Sequence, residues 1–149
     1  MSKIKFRTAD VADADEVTRC LESAYADATS LIEDLPDVTA GIADDIKTHH
    51  VVLAISGGIV GAIVFDRVDD AIMVFNLAVS PEAQGQGVAR RLMQFAEEEA
   101  RLRKLSKLRL RTHKMMKGTI AMYLRMGWKV TAQAGNGLTM EKALGADPD

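Results

Sequence analysis

The stretch Asn76-Leu77-Ala78-Val79-Ser80-Pro81-Glu82-Ala83-Gln84-Gly85-Gln86-Gly87-Val88-Ala89-Arg90-Arg91-Leu92 decides how the rest of the chain is read. An apolar run meets a proline turn, then two closely spaced glycines, then an amphipathic helical pattern. Strand, Gly-rich turn and helix start, in that order, build an anion site. The N–H groups of a helix's first turn have no intrahelical partner, and the helix dipole favours negative charge there. Gly85 and Gly87 carry no side chain that would hold a phosphate away from the backbone. Two familiar phosphate loops do not fit. A P-loop needs Gly-Lys-Ser/Thr, a tripeptide absent from the chain. A dinucleotide fingerprint starting at Gly85 needs a third small residue where Arg90 stands, and an acid about 20 residues on; no acid lies between Glu99 and Glu141.

With 149 residues the chain is expected to form a single domain over residues 1–149, large enough to bury a core. Its 48% hydrophobic and 27% charged residues match an ordinary soluble globular protein. No apolar run approaches the roughly 20 residues of a membrane span, so no membrane association is expected. The start, Met1-Ser2-Lys3-Ile4-Lys5-Phe6, passes straight into a strand-like alternation, so no signal peptide is expected. Cys20 is the single cysteine, which rules out an internal disulfide and suits a reducing cytoplasm. It reads as core filler, since no basic neighbour would activate it.

The net charge of −2 argues against a general nucleic-acid binder, but the charge is unevenly spread. Residues 20–46 hold seven acids (Glu22, Asp27, Glu33, Asp34, Asp37, Asp44, Asp45) and no Lys or Arg. Residues 100–140 hold ten Lys or Arg and no acid. Read plainly, these are two solvated faces of opposite sign. Read functionally, the basic half attracts a polyanionic cofactor and the acidic half a cationic substrate.

Ile4, Phe6 and Thr8 alternate with Lys3, Lys5 and Arg7 as a half-buried first strand. Asp10 is an N-cap for a helix whose stripe is Val17, Leu21, Ala24 and Ala28, with Asp13 and Asp15 in its first turn. Residues 29–38 read as a loop ending in Pro36-Asp37, and residues 39–48 as a short second helix. Residues 50–56 and 59–68 form a hairpin across Gly57-Gly58, and Asp69-Asp70 turns into a third meander strand, residues 71–79. The sheet is therefore mostly antiparallel, not doubly wound. Val88, Leu92, Phe95 and Leu102 mark one helix face, with Glu97, Glu98 and Glu99 mostly outside it. Leu108, Leu110 and Thr112 mark a fifth strand. Residues 117–126 form a last helix closed by Gly127, and a final hairpin turns at residues 135–137. The tail from Gly145 to Asp149 reads as loose.

Gln84-Gly85-Gln86-Gly87-Val88-Ala89 resembles motif A of the GNAT (general N-acetyltransferase) superfamily, Gln/Arg-x-x-Gly-x-Gly/Ala, and it follows that family's Leu-x-Val strand and Pro-Glu turn. Ala121-Met122-Tyr123-Leu124-Arg125-Met126-Gly127-Trp128 resembles motif B, Tyr-x-x-x-Gly-Phe with another aromatic in the last place. One departure stands between them: Met116 occupies the place of the family's usual Asn. The resemblance covers residues 3–142. It implies an α/β (α+β type) fold with a mixed, mostly antiparallel sheet of six to seven strands. That sheet is splayed between the fourth and fifth strands and flanked by about four helices.

The resemblance also implies acetyl-CoA as donor, a primary amine (small or on a peptide) as acceptor, direct attack in a ternary complex, and no metal. The backbone of Gln84, Gly85, Gln86, Gly87, Val88 and Ala89 would hold the pyrophosphate. The main chain of Leu77, Ala78 and Val79 would pair with the pantetheine arm as an added strand does. The Val79 amide would receive the negative charge that develops on the thioester oxygen, a role worth about 3 kcal/mol by the precedent of oxyanion holes. Tyr123 would be the acid for the departing thiolate, since a phenol of pKa about 10 stays protonated at neutral pH. The general base stays open: Asn76 cannot be one, and His49, His50, His113, Asp66, Glu33 and Asp34 are all candidates. Acceptor choice would lie between the first two strands, and exposed edge strands leave room for a homodimer. Two other readings compete. One is a non-catalytic acyl-CoA-binding sensor, which the loss of the motif Asn favours and the retained Tyr123 disfavours. The other is a GNAT-type toxin acetylating aminoacyl-tRNA, which the acidic segment disfavours.

Overall fold

The computed structural model describes residues 3–34 and 39–145. The strands are β1 (Lys5–Thr8), β2 (His50–Ile55), β3 (Ile59–Val68), β4 (Ala71–Val79), β5 (Lys107–His113), β6 (Lys129–Ala134) and β7 (Gly137–Ala143). The helices are α1 (Ala14–Leu31), α2 (Ile42–Thr48), α3 (Val88–Leu102) and α4 (Lys117–Arg125). One mixed sheet runs in the order β1-β2-β3-β4-β5-β7-β6, with β4 and β5 parallel. The chain divides into two compact units. The first comprises residues up to Phe65 with Asn76–Phe95, the second Asp66–Phe75 with the residues from Ala96 onward.

In the first unit β1 pairs antiparallel with β2, from Lys5 opposite Ile55 to Thr8 opposite Val52. β2 returns as β3 through Gly57, whose φ of 72° is the left-handed conformation that glycine adopts without strain. Asp10 caps the chain's entry into α1. Its carboxylate accepts from Ala12 N–H, while the Asp13 carboxylate accepts from Asp10 N–H at 2.7 Å. Arg7 clamps that same Asp13 with two hydrogen bonds of 2.8 and 2.9 Å. Val17 and Leu21 of α1 and Ile42 of α2 then close on Val51, Leu53, Ala62, Val64 and Ala78. Elsewhere in the unit, Gly61 is where α3 comes close: a Cβ there would lie 3.2 Å from Val88 Cγ1 and 3.3 Å from Leu92 Cδ1.

In the second unit β4 runs parallel to β5 over Ile72–Leu108, Met73–Arg109 and Val74–Leu110. β5 pairs antiparallel with β7, and β7 with β6, so the last hairpin inserts its second strand next to β5. Arg109 bonds Glu141 at 2.6 Å and Asp70 at 3.2 Å, and Lys107 bonds Asp70 at 3.1 Å. This ion network ties the start of β4 to β5 and β7, and Lys107 and Arg109 together hold Asp70 below the usual carboxylate range.

Three local expectations need correction. α1 continues to Leu31 instead of yielding to a loop at residue 29. Ser30 Oγ donates to Asp27 C=O, Ile32 N–H donates to Ala28 C=O, and the buried Ile32 anchors the helix end. Pro36-Asp37 lies outside the described residues, as does most of the tail from residue 145. α2 starts only at Ile42, after Gly41 at φ 81°. Leu102 does not join the α3 stripe but is 80% exposed, and Met93, Ala96 and Ala100 are buried instead. Glu97 and Glu99 are half-buried because Lys142 and Arg103 neutralise them.

Two outcomes test this account. Gly61→Val should destabilise the chain by about 2 kcal/mol, the usual cost of overpacking, seen in urea unfolding as a lower midpoint with unchanged slope. The bonds from Arg7 and the Asp10 amide pull Asp13 down from 3.8 to about 2. Its contribution is therefore complete above the unfolded value and lost as pH falls through that window. Asp13→Asn should flatten the acid limb of stability between 3.8 and about 2, measured by urea unfolding across that pH range.

Candidate functional site

In the first unit, β4 ends at Val79 and the chain enters a 3-10 turn, Pro81–Ala83, before α3 begins at Val88. The turn is held at its root. The buried Ser80 donates from its N–H to Val60 C=O at 2.8 Å, and Ala83 N–H donates to Ser80 C=O at 3.0 Å. The Gln84 side chain folds back and donates from Nε2 to Val79 C=O at 3.2 Å, bracing the loop against the strand end. Gln84 N–H is itself engaged, donating to Pro81 C=O at 3.3 Å.

Past Gln84 the accounting changes. Gly85 sits at φ 82° and Gly87 at φ 77°. Left-handed residues alternating with ordinary ones turn successive N–H groups toward one side, the arrangement that forms an anion-binding nest. Among the described residues, the amides of Gly85, Gln86, Gly87, Val88 and Ala89 have no acceptor within the chain, while Arg91 N–H closes the first helical bond to Gly87 C=O. An ideal Cβ on Gly85 or Gly87 would meet nothing within 4 Å. The glycines are therefore there for their backbone angle and for open space above it. Gln86 is exposed, Ala89 partly covered and Val88 buried, so what the loop offers is main chain.

Along β4 the first unit holds Ala78 in its core, with Leu77 and Val79 half-buried. Asn76 is also half-buried, and its Oδ1 accepts from Tyr25 Oη at 3.0 Å. Burial pushes the Tyr25 phenol up to about 12. Sequence reasoning missed Tyr25; the signal was its place four residues after Leu21 and eight after Val17, which continues the buried stripe of α1. Glu22, Asp27, Glu33, Asp34 and Asp44 are exposed, Asp45 is half-buried, and Asp37 lies outside the described residues. Burial also pushes the Cys20 thiol up to about 11, with Glu82 and Glu16 adding to the effect, which suits a packing cysteine and not a nucleophile.

In the second unit, Tyr123 is 5% exposed, and its position follows from how α4 ends. Trp128 N–H donates to Tyr123 C=O at 3.0 Å and Gly127 N–H to Leu124 C=O at 3.2 Å, around Gly127 at φ 94°. This pair of bonds is a Schellman closure, and the Tyr123 and Trp128 rings supply its apolar contact at 5.5 Å between centroids. The spacing Tyr-x-x-x-Gly-aromatic thus has a structural cause of its own. Trp128 is 1% exposed, and its Nε1 has no acceptor among the described residues.

Met116 is the N-cap residue of α4 and offers no side-chain cap, so the Asn that it replaces would have served the helix as well as any ligand. His113 is buried at the end of β5, and its Nδ1 accepts from Met115 N–H at 3.1 Å. His50 stacks on Phe65 at 5.2 Å, a packing role. His49 closes the C-terminus of α2. Of the ten basic residues expected to draw a cofactor, Arg103, Lys107 and Arg109 are already paired with Glu99, Asp70 and Glu141. Among the described residues no helix is long and apolar enough to cross a membrane.

Comparison with known proteins agrees with this geometry. The chain resembles N-acetyltransferase 8B of Mus musculus, 27% identical over 123 residues, and N-acetyltransferase 8F1 of the same organism, 26% identical over 123 residues. Each match covers 78% of this chain but 49% and 51% of those proteins, so the chain spans about half the length of the curated relatives it matches. The fold resembles PaiA N-acetyltransferase from Thermoplasma acidophilum in complex with coenzyme A, at a TM-score of 0.84 and 16% identity over 95% of this chain and 99% of that one. It also resembles the ribosomal-protein-S18-alanine N-acetyltransferase from Escherichia coli, at a TM-score of 0.75 and 17% identity over 99% and 97%. The model of the acetyltransferase (GNAT) family matches residues 15–128, which takes in both the glycine loop and the Tyr123–Trp128 closure, and the chain belongs to that family.

Proposed function

We propose that the chain moves the acetyl group of acetyl-CoA to a primary amine by direct attack in a ternary complex. The observation that carries this reading is the row of amides at residues 85–89, which have no acceptor of their own at the start of α3. A diphosphate brings several anionic oxygens, and backbone N–H groups at a helix start are suited to receive them. Such a grip fixes one end of a long donor molecule, and the strand leading into the loop can hold the rest. The main chain of Leu77, Ala78 and Val79 would pair with the amides of the pantetheine arm as an added strand does.

The amine must arrive neutral, because an alkylammonium has no lone pair to attack with. Its nitrogen adds to the thioester carbon, and the carbonyl oxygen takes up negative charge that the Val79 amide is assigned to receive. The carbon–sulfur bond then breaks, leaving an acetamide and the thiolate of CoA, and the nitrogen gives up its extra proton. Tyr123 is assigned the proton delivered to sulfur. Its buried, ring-packed position supports a phenol held in one orientation. The exposed acids of α1 and α2 support a positively charged acceptor approaching from their side, by raising its local concentration. The chemistry calls for no metal, and its soluble substrates suit a cytoplasmic setting.

The test is release of free CoA from acetyl-CoA against a panel of amines, from polyamines and aminoglycosides to amino acids and peptides. Gly87→Ala should weaken acetyl-CoA binding at least tenfold, measured by calorimetry, because a Cβ disfavours the left-handed angle by roughly 1–2 kcal/mol and adds bulk where the diphosphate lies. Tyr123→Phe keeps the ring contact of the Schellman closure. It should lower turnover by about tenfold to a hundredfold, as losing a general acid does, while leaving acetyl-CoA affinity near wild type. Unchanged turnover at saturating amine would remove Tyr123 from the mechanism. Tight acetyl-CoA binding without CoA release on any amine would instead identify a non-catalytic acyl-CoA-binding module, the reading that the uncapped Met116 favours.

A further inference from the structure

In the second unit, β5 carries a row of cations on one face. Lys107, Arg109 and Arg111 alternate with the buried Leu108 and Leu110, so their side chains leave the sheet on the face away from the core. The first two are answered by acids. Lys107 bonds Asp70 at 3.1 Å, and Arg109 bonds Glu141 at 2.6 Å and Asp70 at 3.2 Å. No acid answers the third. Opposite Arg111 on β7 stands Thr139, and opposite Thr139 on β6 stands Ala132. Arg111 is exposed, and its guanidinium has no partner among the described residues.

Arg111 also stands where the sheet opens. β4 and β5 pair at Ile72–Leu108, Met73–Arg109 and Val74–Leu110 and no further, although β4 runs on to Val79 and β5 to His113. Arg111 is thus the first residue of β5 past the last shared pair. The charge around it has one sign, because residues 100–140 hold no acid and Glu141 is taken by Arg109. An arginine left unanswered contributes nothing to holding the strands together, as Arg109 does. Its planar fork of N–H donors matches a carboxylate in two-point contact.

We propose that the acceptor carries a carboxylate besides its amine, and that Arg111 binds that carboxylate. The substrate class is then the amino acids. The inference rests on the acetyl-transfer reading, which lays the donor from the loop at residues 85–89 back along β4, in the direction of the parted strands. Arg111 moves no proton and stabilises no charge at the thioester. It holds the end of the acceptor that does not react, so its effect falls on acceptor binding.

Amino acids set against the amines left when their carboxyl group is removed test this: phenylalanine with phenethylamine, leucine with isoamylamine, lysine with cadaverine, and β-alanine with ethylamine. Acetyl-CoA is the donor and free CoA the readout. Wild type should favour the amino acid, by kcat/KM, in at least one pair. In Arg111→Gln that preference should fall about tenfold, the scale of one lost charge-assisted contact, and through KM for the amino acid with kcat little changed. Arg111→Lys keeps the charge without the fork and should fall between the two. Acetyl-CoA affinity by calorimetry and the urea midpoint should stay near wild type, because Arg111 is assigned neither the donor nor a partner in the fold. Preference for the plain amine in every pair, equal losses with both members of a pair, or weaker acetyl-CoA binding in Arg111→Gln would overturn the proposal. So would the absence of CoA release from every acceptor by a wild type that binds acetyl-CoA. Failure of the wild type to bind acetyl-CoA would instead overturn the transferase reading, and this inference with it.

Discussion

Everything assigned to this chain depends on how β4 hands over to α3. The backbone must leave a strand, turn, and start a helix while keeping the six consecutive N–H groups of residues 85–90 out of internal bonds. Two features meet that demand together. Gly85 and Gly87 take left-handed angles that would strain a residue with a side chain, and Ser80, Ala83 and the Gln84 side chain tie the root of the turn to the strand it leaves. The internal bonds stop at Gln84 and resume at Arg91. A segment tied at both ends and uncommitted between them would have little ordering left to do on meeting an anion, as the proposed binding requires.

The second unit solves a different problem by related means. Tyr123 can be held only if α4 stops where it does, and Gly127 stops it. The Schellman bonds and the aromatic contact across them fix the phenol's base through the main chain. A structural requirement and a chemical one therefore coincide in a single pattern of residues. That is why the pattern alone cannot assign a catalytic role to the tyrosine, and why a substitution that keeps the ring is the informative one. The ion network of Lys107, Arg109, Asp70 and Glu141 steadies the strands of the same unit.

What the sequence disclosed was what nearest neighbours along the chain decide. The Asp10 cap, the Gly57 hairpin, the limits of β4, the glycine loop and the Gly127 stop all follow from φ preferences and short-range hydrogen bonds, and each lies where expected. Misreadings arose where distant partners decide. Leu102 fits the apolar spacing of α3 yet is exposed, because the buried rows at the end of the helix are Ala96 and Ala100. Ile32 extends α1 by finding a buried site that no local pattern announces. Within the candidate site, the glycine loop was legible and the Tyr25–Asn76 bond was not, since its partners stand 51 residues apart. The bond that Met115 N–H donates to His113 Nδ1 was equally hidden, because the turn that brings them together follows the end of β5.

The outermost strand, β6, has a consequence of its own. All six of its residues are exposed, and a bare strand margin invites other chains to dock by lengthening the sheet. Its alignment with β7 slips between Val130 and Ala132. That irregularity cuts the free rim into two short runs of main chain, with Lys129 charged at one end. A bulge and an edge lysine are devices by which natural sheets discourage edge-to-edge pairing.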